Sequence, residues 1–181
     1  MRWLLLAVLV AHPALAQERP LLVPSRDVDI IYRVAGPDGP LEQRLRWGVG
    51  IAKLRVDPPS PGVFLVLDLA AHRLATVRES DRTVLEVPSA ATMLPGAASG
   101  GTFIRRGTAE VAGLACTQWA TIDNGGHPTL ICVTEDGVLL RAAGDGRVLA
   151  LATAVRYAPQ GEAVFRIPAD FGRISPPAVK R

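Results

Sequence analysis

Between residues 28 and 157, short apolar runs of five to ten residues, rich in Val, Leu, Ile and Thr, alternate with turn residues. Gly, Pro, Asp and Asn separate the runs, as in an antiparallel all-β domain. About ten strands are expected. Residues 28–34 turn at Gly36-Pro37-Asp38-Gly39-Pro40 into 41–49, where Leu41, Leu45, Trp47 and Val49 alternate with Glu42, Arg44 and Arg46. That strand has one dry face and one wet face. Residues 51–56 run to the breaker at 57–62, and 63–67 follow as five consecutive apolar residues, a strand buried on both sides. Residues 73–77 and 82–87 form a hairpin around Glu79-Ser80-Asp81. After Pro88 the alternation stops. Ser89 is placed to cap a short helical turn through Met93 and Leu94 before Pro95-Gly96 ends it. This stretch, 89–101, is the one candidate helix or lid. Strands resume at 103–111, 114–122, 129–134, 138–142 and 148–157, and a tail from Phe165 to Phe171 closes the domain.

Several strands are apolar on both faces, notably 63–67 and 148–155. A single-layer sheet needs only one buried face, so something must cover the second. The alternatives are a second sheet in a sandwich, the 89–101 segment, a bound apolar ligand or a partner.

Cys116 and Cys132 flank the polar turn Asp123-Asn124-Gly125-Gly126. Centred on Asn124 and Gly125, that turn sets the two cysteines opposite or nearly opposite each other, within disulfide reach. Leu114, Cys116, Ala120, Ile122, Leu130 and Cys132 then share one face, and Trp119 points the other way with Ile131 and Val133. A structural disulfide is expected. A redox pair would want Cys-x-x-Cys spacing at a helix start, which is absent.

The chain opens with Met-Arg, an apolar run from Trp3 to Val10 and the small-residue ending Ala14-Leu15-Ala16. This reads as a signal peptide cut before Gln17, and export suits the disulfide. Four segments follow: leader 1–16, N-terminal extension 17–26, a single β domain 27–171 and a C-terminal tail 172–181. The leader is too short to span a bilayer, and no cysteine stands at the cut site to take a lipid. The expectation is a periplasmic protein with no stable membrane anchor; secretion would use the same leader. Losing Arg2 lowers the formal charge from +3 to +2. Short basic groups such as Arg44 with Arg46, or Arg105-Arg106, fit solvated strand faces. Nucleic-acid binding would need a denser basic stripe and is not expected.

No catalytic signature is present: there is no Gly-x-Ser-x-Gly, no His-Glu-x-x-His and no glycine-rich phosphate loop. Beyond the leader the histidines are His72 and His127, both in turns and without ligand spacing, so no metal and no cofactor is expected. A non-enzymatic role follows as the expectation.

Some segments carry a family resemblance: Val63 to Asp68 followed by a bend, Leu85-Glu86-Val87-Pro88, and Gly107-Thr108-Ala109-Glu110-Val111-Ala112-Gly113-Leu114-Ala115-Cys116. Glu135-Asp136-Gly137-Val138-Leu139-Leu140-Arg141 and Phe165-Arg166-Ile167-Pro168-Ala169 add to it. Over most of 27–171 the chain resembles the uncharacterised periplasmic members of the LolA/LolB-like lipoprotein-carrier superfamily. The resemblance implies a mainly β fold, a strongly curved antiparallel sheet forming an incomplete barrel. Its concave apolar face would sit under a short helical or loop lid and hold a lipid or other apolar ligand. Only Gln17 to Ser25 precede the first strand, so the carriers' N-terminal amphipathic helix is not expected. Trp47, Leu65, Leu67 and Trp119 are the candidate lining of such a face, with core packing as the competing role of each. Docking of another envelope protein on an exposed face or edge is the alternative function.

Overall fold

In the computed structural model, residues 18–89, 102–123 and 125–174 are described. The leader, the helical turn at Met93 and Leu94, and Asn124 lie outside them. The alternation of apolar and turn residues becomes two meanders. The first is β1 (Val28–Gly36), β2 (Gly39–Gly48), β3 (Lys53–Asp57), β4 (Val63–Asp68), β5 (Arg73–Arg78) and β6 (Thr83–Pro88). The second is β7 (Ile104–Val111), β8 (Leu114–Ile122), β9 (Pro128–Val133), β10 (Leu139–Gly144) and β11 (Arg147–Tyr157). β1 and β11 pair antiparallel and fuse the meanders into one sheet. A short β12 (Gly172–Ile174) lies parallel to β6, giving twelve strands in the order β12-β6-β5-β4-β3-β2-β1-β11-β10-β9-β8-β7. The ends of this order do not pair, so the sheet is open.

One face of the sheet is rolled inward. β7 and β11 are four strand spacings apart, about 19 Å on a flat sheet, yet their Cα atoms approach within 8 Å. The face enclosed by that roll carries the largest core, with Val28, Ile30 and Tyr32 of β1, Leu45 and Trp47 of β2, Cys116, Cys132 and Leu140 among its members. Tyr32 donates its hydroxyl to the Leu139 carbonyl at 2.5 Å, which satisfies a buried polar group. Burial raises its pKa.

Among the described residues, two patches of the outer face are covered, by segments near the two ends of the chain and not by a second sheet. Phe64, Val66, Ala75, Val77 and Val84 lie under Phe165, with Val164, Ile167 and Phe171 packed alongside. A short 3-10 helix, Glu162–Phe165, starts this strap. Phe103, Trp119, Ile131 and Val133 form a second outer cluster against Leu22 of the N-terminal segment. Between the two patches the outer face is charged. Arg44 holds Asp29 through two bonds of 2.8 and 2.5 Å, while Arg46 and Arg55 converge on Asp57.

The double burial expected for 63–67 is observed in part: Phe64 and Val66 are buried under the strap and Leu67 in the inner core, while Val63 and Leu65 are only half-buried. That expected for 148–155 is not. Val148 and Leu149 are 42% and 39% exposed, and among the described residues neither terminal segment packs on them. The third strand starts at Lys53, later than expected, because Ala52 takes a left-handed φ of 52° and donates its N–H to Val49 in a tight turn.

The disulfide Cys116–Cys132 is formed, with its Cα atoms 5.5 Å apart. Its geometry is diagonal. Cys132 pairs with Gln118, because β8 and β9 register about residue 125 and not 124. Asp123 widens the turn: its carboxylate accepts the N–H groups of Gly125 and His127, and its own N–H reaches the His127 carbonyl. The expected division of this hairpin holds, with Leu114, Cys116 and Cys132 inward and Trp119, Ile131 and Val133 outward.

Candidate functional site: the inner sheet face

Strand register lays the inner side chains of β1 to β6 in rows. One row runs Val28, Trp47, Leu54, Leu67, Leu74, Val87, and the next Ile30, Leu45, Val56, Leu65, Thr76, Leu85. Both rows are apolar except for Thr76, since each strand alternates in step with its neighbours. Burial declines along them. Val28, Trp47, Leu54 and Leu67 are at most 4% exposed, and Ile30 and Leu45 are buried. Val56, Leu65, Leu74, Thr76, Leu85 and Val87 are only half-buried. The rolled half of the sheet fills the face over β1 and β2 with Cys116, Cys132, Val138 and Leu140. Leu65, Leu85 and Val87 belong to none of the apolar clusters. Among the described residues, the β4–β6 end of the inner face is thus an incompletely covered apolar strip.

Trp47, Leu65 and Leu67 therefore share one face. Trp47 and Leu67 sit in its filled part, and Leu65 in the half-covered part. Trp119 lies on the outer face, 7% exposed, in the cluster with Phe103 and Leu22. The strip also includes Val56, Leu74, Leu85 and Val87. Alternation through 82–87 points to two of these, but grouping them with Leu65 requires the inter-strand register.

A second apolar feature lies along the ends of several strands. Leu41, Ile104, Ile122 and Val148 are 42–55% exposed there, and Leu41 pairs with Val34, which pairs on its other side with Ala150. Exposed aliphatic side chains in one region mark an interaction surface more often than scattered ones do.

At the other end of the sheet a polar clasp ties the N-terminal segment down. Arg26 donates to Asp136 at 2.7 Å, Tyr157 donates to the same carboxylate at 2.9 Å, and Thr134 donates to it as well. The Arg26 guanidinium stacks 3.6 Å from the Tyr157 ring centroid. Partial burial pushes the Asp136 carboxyl up, but the donors from Thr134, Arg26 and Tyr157 outweigh it and hold the group below its ordinary value. Tyr157 is raised by burial and by its bond to Asp136. A hollow of about 450 Å³ opens beside the clasp, lined by Leu114, Ala115, Glu135 and the clasp residues. Three side-chain donors converge on the one ionised carboxylate, an arrangement that fixes the geometry of the chain here. His72 and His127 are exposed in turns, and His127 lies 3.4 Å from Asp123.

No protein-family model and no curated protein matches the sequence. Solved structures share the fold. An uncharacterised conserved protein from Thermus thermophilus aligns at 15% identity over 84% of this chain and 91% of that one, with a TM-score of 0.63. MucB aligns at 13% identity over 82% of this chain and 60% of its own, TM-score 0.55. MucB in the Pseudomonas aeruginosa MucA/MucB complex aligns at 13% identity over 83% and 59%, TM-score 0.55. This chain spans about three fifths of the MucB chains.

Proposed function

We propose that the protein is an exported, non-enzymatic envelope protein that holds a lipid acyl chain or similar apolar ligand on the β4–β6 end of its inner face. The decline in burial along the two inner rows carries this reading. A face built only as core would be covered along its length, whereas here Leu65, Leu85 and Val87 stay half-buried beside a filled core. The disulfide supports an oxidising compartment. Among the described residues no helix is long and apolar enough to cross a membrane. The resemblance to the lipoprotein-carrier superfamily supports the ligand class.

The test is saturable binding of a dansylated fatty acid to the mature protein. Leu65→Lys places a charge in the strip and weakens binding by about tenfold or more, while Leu21→Lys, at a site 54% exposed on the N-terminal segment, leaves it unchanged. Absence of saturable binding, or equal binding by Leu65→Lys, overturns the reading.

A second reading, docking of a partner protein, is favoured by one observation. A protein of like fold, MucB, is solved as a complex with MucA.

A further inference from the structure

The two edges of the sheet are treated differently by the chain. At β6 the chain's own strand β12 pairs with Thr83 to Leu85 and covers the first half of that edge. At the other end of the order β7 is the last strand, eight residues long. Ala112 and Gly113, with φ of 52° and 74°, form a two-residue turn of the type that closes tight hairpins. Its closing pair, Val111 and Leu114, is hydrogen-bonded, and bonded and unbonded pairs alternate from there. Ala109 with Cys116 is a bonded pair. Glu110 with Ala115 and Thr108 with Thr117 are not, so the N–H and C=O groups of Glu110 and Thr108 point away from β8 to the outer edge. No backbone partner takes them among the described residues.

Exposed charges stand at the same edge. Arg106, at the register shift between Arg105 and Gly107, and Glu110 are both exposed, and neither has an ion pair among the described residues. Charges and bulges on an edge keep mismatched strands away, so an incoming strand has to answer both signs.

We infer that the β7 edge takes up an extended segment of a partner protein as an antiparallel added strand. The segment carries a basic residue opposite Glu110, an acidic residue four positions later opposite Arg106, and small apolar residues between them on the side of Ala109. Strand addition of this kind draws affinity from the main chain and specificity from alternate side chains. The docking mode rests on the partner reading and is independent of the apolar ligand, whose strip lies on β4–β6.

The test uses two fluorescent peptides on the mature protein, Val-Arg-Val-Thr-Val-Glu-Val and its charge-exchanged form Val-Glu-Val-Thr-Val-Arg-Val. In antiparallel register the first places Arg against Glu110 and Glu against Arg106, and the second opposes like charges. Two cross-strand pairs switching from attraction to repulsion predict about tenfold tighter binding of the first peptide. The double variant Arg106→Glu/Glu110→Arg reverses the preference. Thr108→Pro deletes an edge N–H without touching the β7–β8 ladder and abolishes binding of both peptides, with unfolding temperature retained. Equal binding of the two peptides, no saturable binding, or a preference that survives the double variant overturns strand addition at β7. Fatty-acid binding measured on the same samples shows separately whether the inner face functions.

Discussion

Removing the disulfide by Cys116→Ala/Cys132→Ala should lower stability by an amount set by the loop it closes. The cysteines are 16 residues apart in sequence, and loop-closure entropy for a ring of that size gives about 3 kcal/mol. For a domain of this length each kcal/mol moves the midpoint by about 2–4 °C, so Tm should fall by about 6–12 °C. Both cysteines lie in the inner core cluster, 4% and 2% exposed, so the native fold itself shields the bond. Thermal unfolding followed by circular dichroism, on the variant and on wild type reduced under denaturing conditions and refolded with reductant, should give matching shifts. A shift below about 2 °C in both samples would refute the assignment of this stabilisation to closure of the β8–β9 loop.

Chemical denaturation should resolve the decline in burial across the inner face. Leu67→Ala, deep in the core, is expected to cost about 2–5 kcal/mol, and Leu65→Ala, half-buried two residues away, about half as much or less; equal costs would mean that the face is uniformly packed. Asp136→Asn should destabilise the fold at neutral pH by about 1–3 kcal/mol, since the clasp loses a charged acceptor. Because the folded pKa of Asp136 lies below its unfolded value, its contribution is fully present above about pH 4 and disappears as pH falls through the lower folded value. The gap between variant and wild type should close over that window in a pH series of urea melts. Thr121→Val should be neutral or stabilising by up to about 1 kcal/mol, because the Thr121 hydroxyl is buried without a hydrogen-bond partner among the described residues; a loss above that figure in the same assay would reveal a partner. Gly137→Ala should destabilise by about 1 kcal/mol or more, since φ is +89° and a Cβ there would strike the Val23 carbonyl.

Strand positions were legible because the periods are local. The alternation of Leu45 and Trp47 with Arg44 and Arg46, and the division of the Cys116–Cys132 hairpin into two faces, need only neighbouring residues. The cover of the outer face was not. Leu22, Phe165, Ile167 and Phe171 come from segments with little or no regular secondary structure, so no periodicity announces which strands they meet. β12 escaped for a related reason: three exposed residues carry no apolar alternation, and their pairing with β6 follows from the path of the strap before them. The one-residue error in the hairpin centre came from Asp123, whose side chain stands in for a backbone acceptor and lengthens the turn. The face taken by each candidate lining residue was legible only in part. Trp47, Leu65 and Leu67 lie on one face, but Trp119 lies on the other, because a bulky apolar residue on a strand does not say which face covers it.

The most direct test of an apolar ligand on the inner face is native mass spectrometry, with organic extraction, of the mature protein purified from a bacterial periplasm. A lipid-free refolded sample serves as the control. Co-purifying acyl species are expected at near-stoichiometric amounts, absent from the control and restored by adding back the extract. A bare protein mass from the periplasm, with no acyl species taken up by the refolded sample, would contradict the apolar-ligand reading.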